Sequence, residues 1–161
     1  MARAEVSRIA AALLARGQTL ATVECSLGGA LGDALTDVAG ASSWFVGGIA
    51  PYAASAKATL LGIDDFGPDG AVSAGAARLL ASAGRDRLGA GWCLAETGIA
   101  GPRGSRRSAK DPGTAYLCLA GPSGLAEATV TTGHDDRTAN KRAFLAAALE
   151  LISKNVETPV V

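Results

Sequence analysis

The hexapeptide Glu24-Cys25-Ser26-Leu27-Gly28-Gly29 sets a thiol and a hydroxyl beside a glycine pair, at the end of an apolar run. Thr19 to Glu24 reads as a short buried strand, and Gly28-Gly29 opens an apolar helical pattern through Leu31 and Leu35 to Val38. Where a strand hands over to a helix, free backbone N–H groups and the positive end of the helix dipole favour an anion. A thiol there is expected to have a lowered pKa and to attack as thiolate. The two glycines would let a ligand approach the backbone. A plainer reading stays open, in which Cys25 is a small buried residue and Gly28-Gly29 only a tight turn.

Two further segments carry reactive groups. Tyr52 and Lys57 stand five residues apart, on different faces of a regular helix. With Tyr52 in the preceding loop and Lys57 in the first helical turn they would converge, and an ammonium beside a phenol makes it a candidate proton acceptor. The alternative is a half-buried tyrosine next to a solvated lysine. Gly98-Ile99-Ala100-Gly101-Pro102 follows an apolar strand and would present backbone groups at its C-terminal end, where open α/β sheets bind ligands. Beyond it Arg103, Arg106, Arg107 and Lys110 are placed to receive a phosphate, or simply to line a solvated loop. His134, the one histidine, falls in a turn before the last helix.

The elements that must position these groups follow from periodicity. Val6, Ile9, Ala10, Leu13 and Leu14 recur at helical spacing, with Gly17 as the stop. Strands are expected at Trp44 to Ala50, Trp92 to Glu96 and Thr114 to Ala120. A hairpin partner should run from Leu125 to Thr132, after the turn Gly121-Pro122-Ser123-Gly124. Helices are expected from Ser55 to Leu61, from an N-cap at Ser73 to about Arg85, and from about Asp136 to Ile152. Gly98 to Gly113 reads as a long functional loop, and residues 156–161 as a frayed tail. Strands alternating with helices and then a hairpin make an α/β fold, a three-layer α/β/α sandwich with a mixed sheet in a single domain over residues 1–161.

Composition bounds the function. The 161 residues suit one core, and the 48% apolar fraction with only 4% aromatic residues implies a core of small side chains. A formal charge of zero and the lack of interleaved aromatics argue against nucleic-acid binding. The three cysteines lack C-x-x-C spacing and have a single histidine for company, so no metal is indicated. The odd cysteine count suggests reduced thiols, and neither a signal peptide nor a membrane-spanning run is visible. A cytoplasmic protein is expected.

In this order the motifs resemble the CinA C-terminal family along nearly the whole chain. The family's Glu-Ser-Cys-Thr-Gly-Gly is similar to Glu24–Gly29, its Ala-Gly-x-Ser-x-x-Phe to Ala39–Phe45, and its Tyr-Ser-Asn-x-x-Lys to Tyr52–Lys57. Gly70–Ser73 and Thr97–Pro102 match directly, while Asp111–Thr114 and Asp136-Arg137 resemble its later motifs. The resemblance implies hydrolysis of the carboxamide of nicotinamide mononucleotide to nicotinate mononucleotide and ammonia, without a cofactor, in a homo-oligomer. Its nucleophile is the serine after the glutamate, assisted by the tyrosine and the lysine. Here Cys25 holds that serine's place, Ser26 the cysteine's, Leu27 the threonine's, Ala53-Ala54 the Ser-Asn, and Ser105 a glycine's. The expected form is a stand-alone domain.

The resulting expectation is a catalytic set of Cys25, Tyr52 and Lys57, with Ser26 as the reserve nucleophile and an N–H near Ser26 to Gly28 holding the oxyanion. Gly28, Gly29, Gly98, Ile99, Ala100, Gly101, Arg103 and Lys110 are the expected substrate contacts. A nucleotide-binding module without turnover, and an amidase for another substrate, are the rival expectations.

Overall fold

The computed structural model describes residues 2–104 and 109–157. Among them the chain runs α1 (Ala2–Ala15), β1 (Leu20–Glu24), α2 (Ala30–Thr36), β2 (Phe45–Ile49), α3 (Ala54–Leu61) and α4 (Ala74–Leu88). It continues through β3 (Trp92–Ile99), β4 (Thr114–Gly121), β5 (Gly124–Thr131) and α5 (Arg137–Val156). One mixed sheet has the order β2-β1-β3-β4-β5, with β1 parallel to both neighbours and β3, β4 and β5 antiparallel in turn. This is the α/β architecture expected from the sequence.

Topology explains the layers. The step from β1 to β2 moves one way across the sheet, and the step from β2 to β3 moves back past β1. Right-handed crossovers in opposite directions place their helices on opposite faces. Accordingly α2 joins α1 and α5 over one face, in a core with Leu20, Leu94, Leu117, Leu119, Trp44 and Phe144. On the other face α4 packs against Ala21, Val23, Cys93, Ala95, Cys118 and Ala120. Strand β1, covered on both sides, is buried at all five positions.

Local signals hold at most boundaries. Val6, Ile9, Ala10 and Leu13 form the buried stripe of α1. The Ser73 hydroxyl accepts the Ala76 N–H as the N-cap of α4, which ends on Gly89 in the left-handed conformation.

Two expectations need correction. Gly98 and Ile99 belong to β3 rather than to a loop, paired with Ala115 and Thr114. A Cβ at Gly98 would lie 2.8 Å from the Ala115 Cβ and 2.9 Å from the Thr114 oxygen, so this glycine permits close strand pairing. The final helix reaches Val156, which is fully buried, so the chain is packed through that residue. Residues 158–161 of the expected tail, and Ser105, Arg106 and Arg107 of the expected basic loop, lie outside the described residues.

Candidate functional site

A cleft of about 650 Å³ opens at the C-terminal ends of β1 and β3, within the usual range for small-molecule sites. Cys25 and Ser26 from the turn after β1 line it, as do Tyr52 and Lys57 from the start of α3, and Thr97 to Pro102. The segment 68–72, Ala109, Lys110 and Arg137 at the start of α5 complete the wall. The thiol, phenol and amine that the sequence separates therefore meet in one hollow, beside Gly98, Ile99, Ala100 and Gly101.

Cys25, 5% exposed as a residue, continues the side of β1 that carries Ala21 and Val23, so its sulfur faces the small-residue layer. Burial pushes its thiol from 9.0 up to about 12; the nearby Lys57 charge and a hydrogen bond with Thr97 oppose the rise, and Glu96 adds to it. The expected low-pKa thiol at a helix end is corrected by this environment. Its physical cause is burial in that layer, while the N–H groups that would have lowered the pKa are taken by two buried carboxylates on the other side of the turn.

Glu24 and Glu96 are register partners on adjacent parallel strands, 2% and 0% exposed. Glu24 accepts the N–H groups of Gly29, Leu31 and Gly32 at 2.8–2.9 Å and the Thr22 hydroxyl at 3.2 Å. It thus occupies the start of α2, where an anion was expected to bind. Glu96 accepts the N–H groups of Ser26 and Leu27, both at 3.0 Å, and the Ser26 hydroxyl. The N–H groups of Ser26 and Leu27, expected to hold an oxyanion, are already bonded to this carboxylate. Burial also raises the Glu96 pKa, against the hydrogen bonds from Ser26 and Leu27 that lower it. Gly28 and Gly29 turn the chain with positive φ and stand outside the cleft wall.

Tyr52 and Lys57 reverse the plain alternative: the tyrosine is 64% exposed and the lysine is buried at 6%. The Lys57 ammonium donates to the Tyr52 backbone carbonyl at 3.2 Å. The cation on the phenol is instead Arg137, which donates to Tyr52 Oη at 2.9 Å and to the Gly101 carbonyl at 2.7 Å. The expected Lys57–phenol pairing is corrected accordingly. Lys110 lines the cleft, donates to the carbonyls of Val72 and Asp69, and lies 5.4 Å from the Tyr116 ring centre. Arg103 is not part of the wall. Its guanidinium pairs with Asp111 at 2.7 Å and its N–H donates to Asp135.

The loop after β3 is pinned from beneath. Asn140, fully buried on α5, donates to the Ala100 and His134 carbonyls, both at 2.9 Å. Sequence reasoning missed Glu96, Thr97, Asn140 and Arg137 as determinants of the site. A signal existed for the glutamates: Leu20–Glu24 and Trp92–Glu96 are apolar runs that each end on a carboxylate, which a buried strand tolerates only with dedicated donors. Spacing carries no comparable sign of the Arg137–Tyr52 contact, which spans 85 residues.

Among the described residues, no group of three or more His, Cys, Asp or Glu side chains is arranged to hold a metal. No helix there is long and apolar enough to cross a membrane.

Comparison with known proteins gives one consistent neighbourhood. The chain is 41% identical over 144 residues to a CinA-like protein of Frankia casuarinae, covering 88% of this chain and 33% of that protein. A CinA-like protein of Synechocystis is 43% identical over 125 residues, covering 74% and 29%. The chain thus spans about a third of the length of these curated relatives. Among solved structures, the competence/damage inducible protein CihA from Agrobacterium tumefaciens superposes with a TM-score of 0.88 at 30% identity, covering 98% of this chain and 96% of that one. A CinA superfamily protein from Enterobacter cloacae gives 0.90 at 22% identity, over 98% and 93%, a likeness of fold alone. The profile of the CinA C-terminal domain matches residues 3–156, so the chain belongs to the CinA C-terminal domain family.

Proposed function

We propose that this domain hydrolyses the carboxamide of a pyridine nucleotide, with nicotinamide mononucleotide as the substrate and nicotinate mononucleotide and ammonia as products. The observation that carries this reading is the convergence of Cys25, Tyr52 and Lys57 on one cleft beside the Gly98–Pro102 segment. In the reaction Cys25 Sγ attacks the amide carbon. Because burial holds the thiol protonated to about pH 12, the proton must leave as the C–S bond forms. The Lys57 ammonium, whose charge favours the thiolate, steadies the sulfur as its proton passes to the amide nitrogen, so the C–N bond breaks, ammonia leaves and a thioester remains. Water then attacks the thioester, regenerating the thiol and releasing the acid. Tyr52, held by Arg137, stands at the mouth of the cleft to orient the carboxamide and pass the proton. The domain works in the cytoplasm, as a homo-oligomer.

The test is ammonia release from nicotinamide mononucleotide by the parent, Cys25→Ala and Cys25→Ser. Loss in Cys25→Ala with partial recovery in Cys25→Ser supports the assignment; undiminished release from Cys25→Ala overturns it. A second reading is favoured by the raised thiol pKa and by the bonded N–H groups of Ser26 and Leu27. In it the cleft binds a nucleotide without turnover. Calorimetric binding with no ammonia formed selects that reading, whereas ammonia from a different amide selects another substrate.

A further inference from the structure

On the cleft side, the turn that presents Cys25 meets a hydrogen bond with Thr97 at the thiol. Its backbone is held from behind. Cys25 N–H donates to the Glu96 carbonyl at 3.1 Å, and the N–H groups of the next two residues donate to the Glu96 carboxylate. The Ser26 hydroxyl, the other nucleophile in this turn, donates to the same carboxylate. Four donors from three consecutive residues thus end on one residue of β3. The charged or titratable groups facing Glu96 are Glu24 across the strand pair and the Cys25 thiol over the turn. Among the described residues no ion pair reaches it.

We propose that Glu96 is the positioning residue of the site: its carboxylate clamps the Ser26 and Leu27 amides and the Ser26 hydroxyl, and so fixes where the Cys25 sulfur points. Ser26 is thereby part of the clamp, its hydroxyl committed to Glu96. The effect on turnover rests on the amidase reading above; the clamp itself does not. A carboxylate suits this task because one of its oxygens accepts both N–H bonds while the other accepts the Ser26 hydroxyl; a glutamine keeps this pattern with its NH2 toward the Ser26 oxygen, so Glu96→Gln removes the charge and Glu96→Ala removes the clamp.

The experiment compares the parent, Glu96→Gln, Glu96→Ala and Ser26→Ala by three readouts. In amide proton NMR of the parent, the Ser26 and Leu27 signals lie downfield and titrate together in acid as the carboxylate protonates. In Glu96→Gln they move upfield and stop titrating. In iodoacetamide labelling followed at the Cys25 peptide, the pH profile of Glu96→Gln moves to lower pH, because the carboxylate charge no longer opposes thiol ionisation. In ammonia release, kcat of Glu96→Ala falls about 100-fold with KM roughly unchanged, Glu96→Gln, which keeps the bonds, falls much less, and Ser26→Ala, which removes one of the bonds, falls about 3- to 10-fold. Ser26 and Leu27 amide signals that neither titrate in the parent nor move in Glu96→Gln overturn the proposal, as does an unmoved Cys25 labelling profile. If the Glu96 variants do not fold, the titration of the parent and the Ser26→Ala profile decide. A parent that releases no ammonia removes the amidase reading, while the NMR and labelling results still decide the role of Glu96.

Discussion

The two faces of the sheet are built on opposite principles. Under α1, α2 and α5 the core is made of large side chains, with Trp44, Phe144 and a set of leucines fully buried. Under α4 it is made of alanine, valine and cysteine, and Gly84 lets the helix come so near that a Cβ there would lie 2.3 Å from Val23 Cγ2. Strands β1 and β3 serve both faces at once, because successive side chains alternate sides. They send Glu24 and Glu96 to the large-residue face, where backbone N–H groups surround them. They send Thr97 and the following Cys25 to the small-residue face, where the layer opens into the cleft. The reactive group and the carboxylates that hold its turn thus lie on different sides of one sheet, Glu24 next to Cys25 in sequence and Glu96 opposite Glu24 on the adjacent strand.

The difference can be broken at points chosen on each face. Glu24→Ala should have the largest effect on stability, about 3–6 kcal/mol, because it leaves the Gly29, Leu31 and Gly32 N–H groups without their acceptor; urea unfolding measures it. Phe144→Ala on the same face should cost about 3–5 kcal/mol through the cavity it leaves. On the other face the costly change is the reverse, from small to large. Gly84→Ala should destabilise by about 1–3 kcal/mol despite the better helix propensity of alanine, since the stiff, buried Val23 side chain has to move. An unchanged or higher unfolding midpoint for Gly84→Ala would show that α4 has room to shift.

The pH dependence sharpens the same contrast. Burial in the small-residue layer raises both Cys25 and Cys93 from 9.0 to about 12. Above pH 9 the unfolded chain releases these protons while the folded chain keeps them, so the unfolded state binds fewer protons and stability falls as pH rises toward 12. Below pH 9 both states hold the protons, and this contribution is absent. Each thiol adds about 1.4 kcal/mol per pH unit at most. Urea midpoints at pH 8, 9 and 10 should therefore decline, and Cys93→Ala should flatten the decline. An equal slope in that variant would place its thiol outside the titration.

Much of this arrangement was legible in the residues. The stripe of α1, the Ser73 cap, the turn before β5 and the alternation of strands and helices each rest on local chemistry that the fold keeps. The convergence of Cys25, Tyr52 and Lys57 was also expected, since strand ends and helix starts gather on one side of an open sheet. What escaped was which groups saturate one another. The start of α2 attracts an anion, as helix ends do, but that anion is Glu24 of the same chain. The cation on Tyr52 is Arg137 rather than the adjacent Lys57, because a register spanning 85 residues decides that contact. Gly98 read as a loop because glycine marks both loops and close strand pairing, and only the partner strand tells them apart.

The most direct measurement is ammonia release from nicotinamide mononucleotide by the parent and Cys25→Ala at matched folding. The account predicts turnover by the parent and a loss of roughly 1,000-fold or more in the variant. Equal release from both would contradict it.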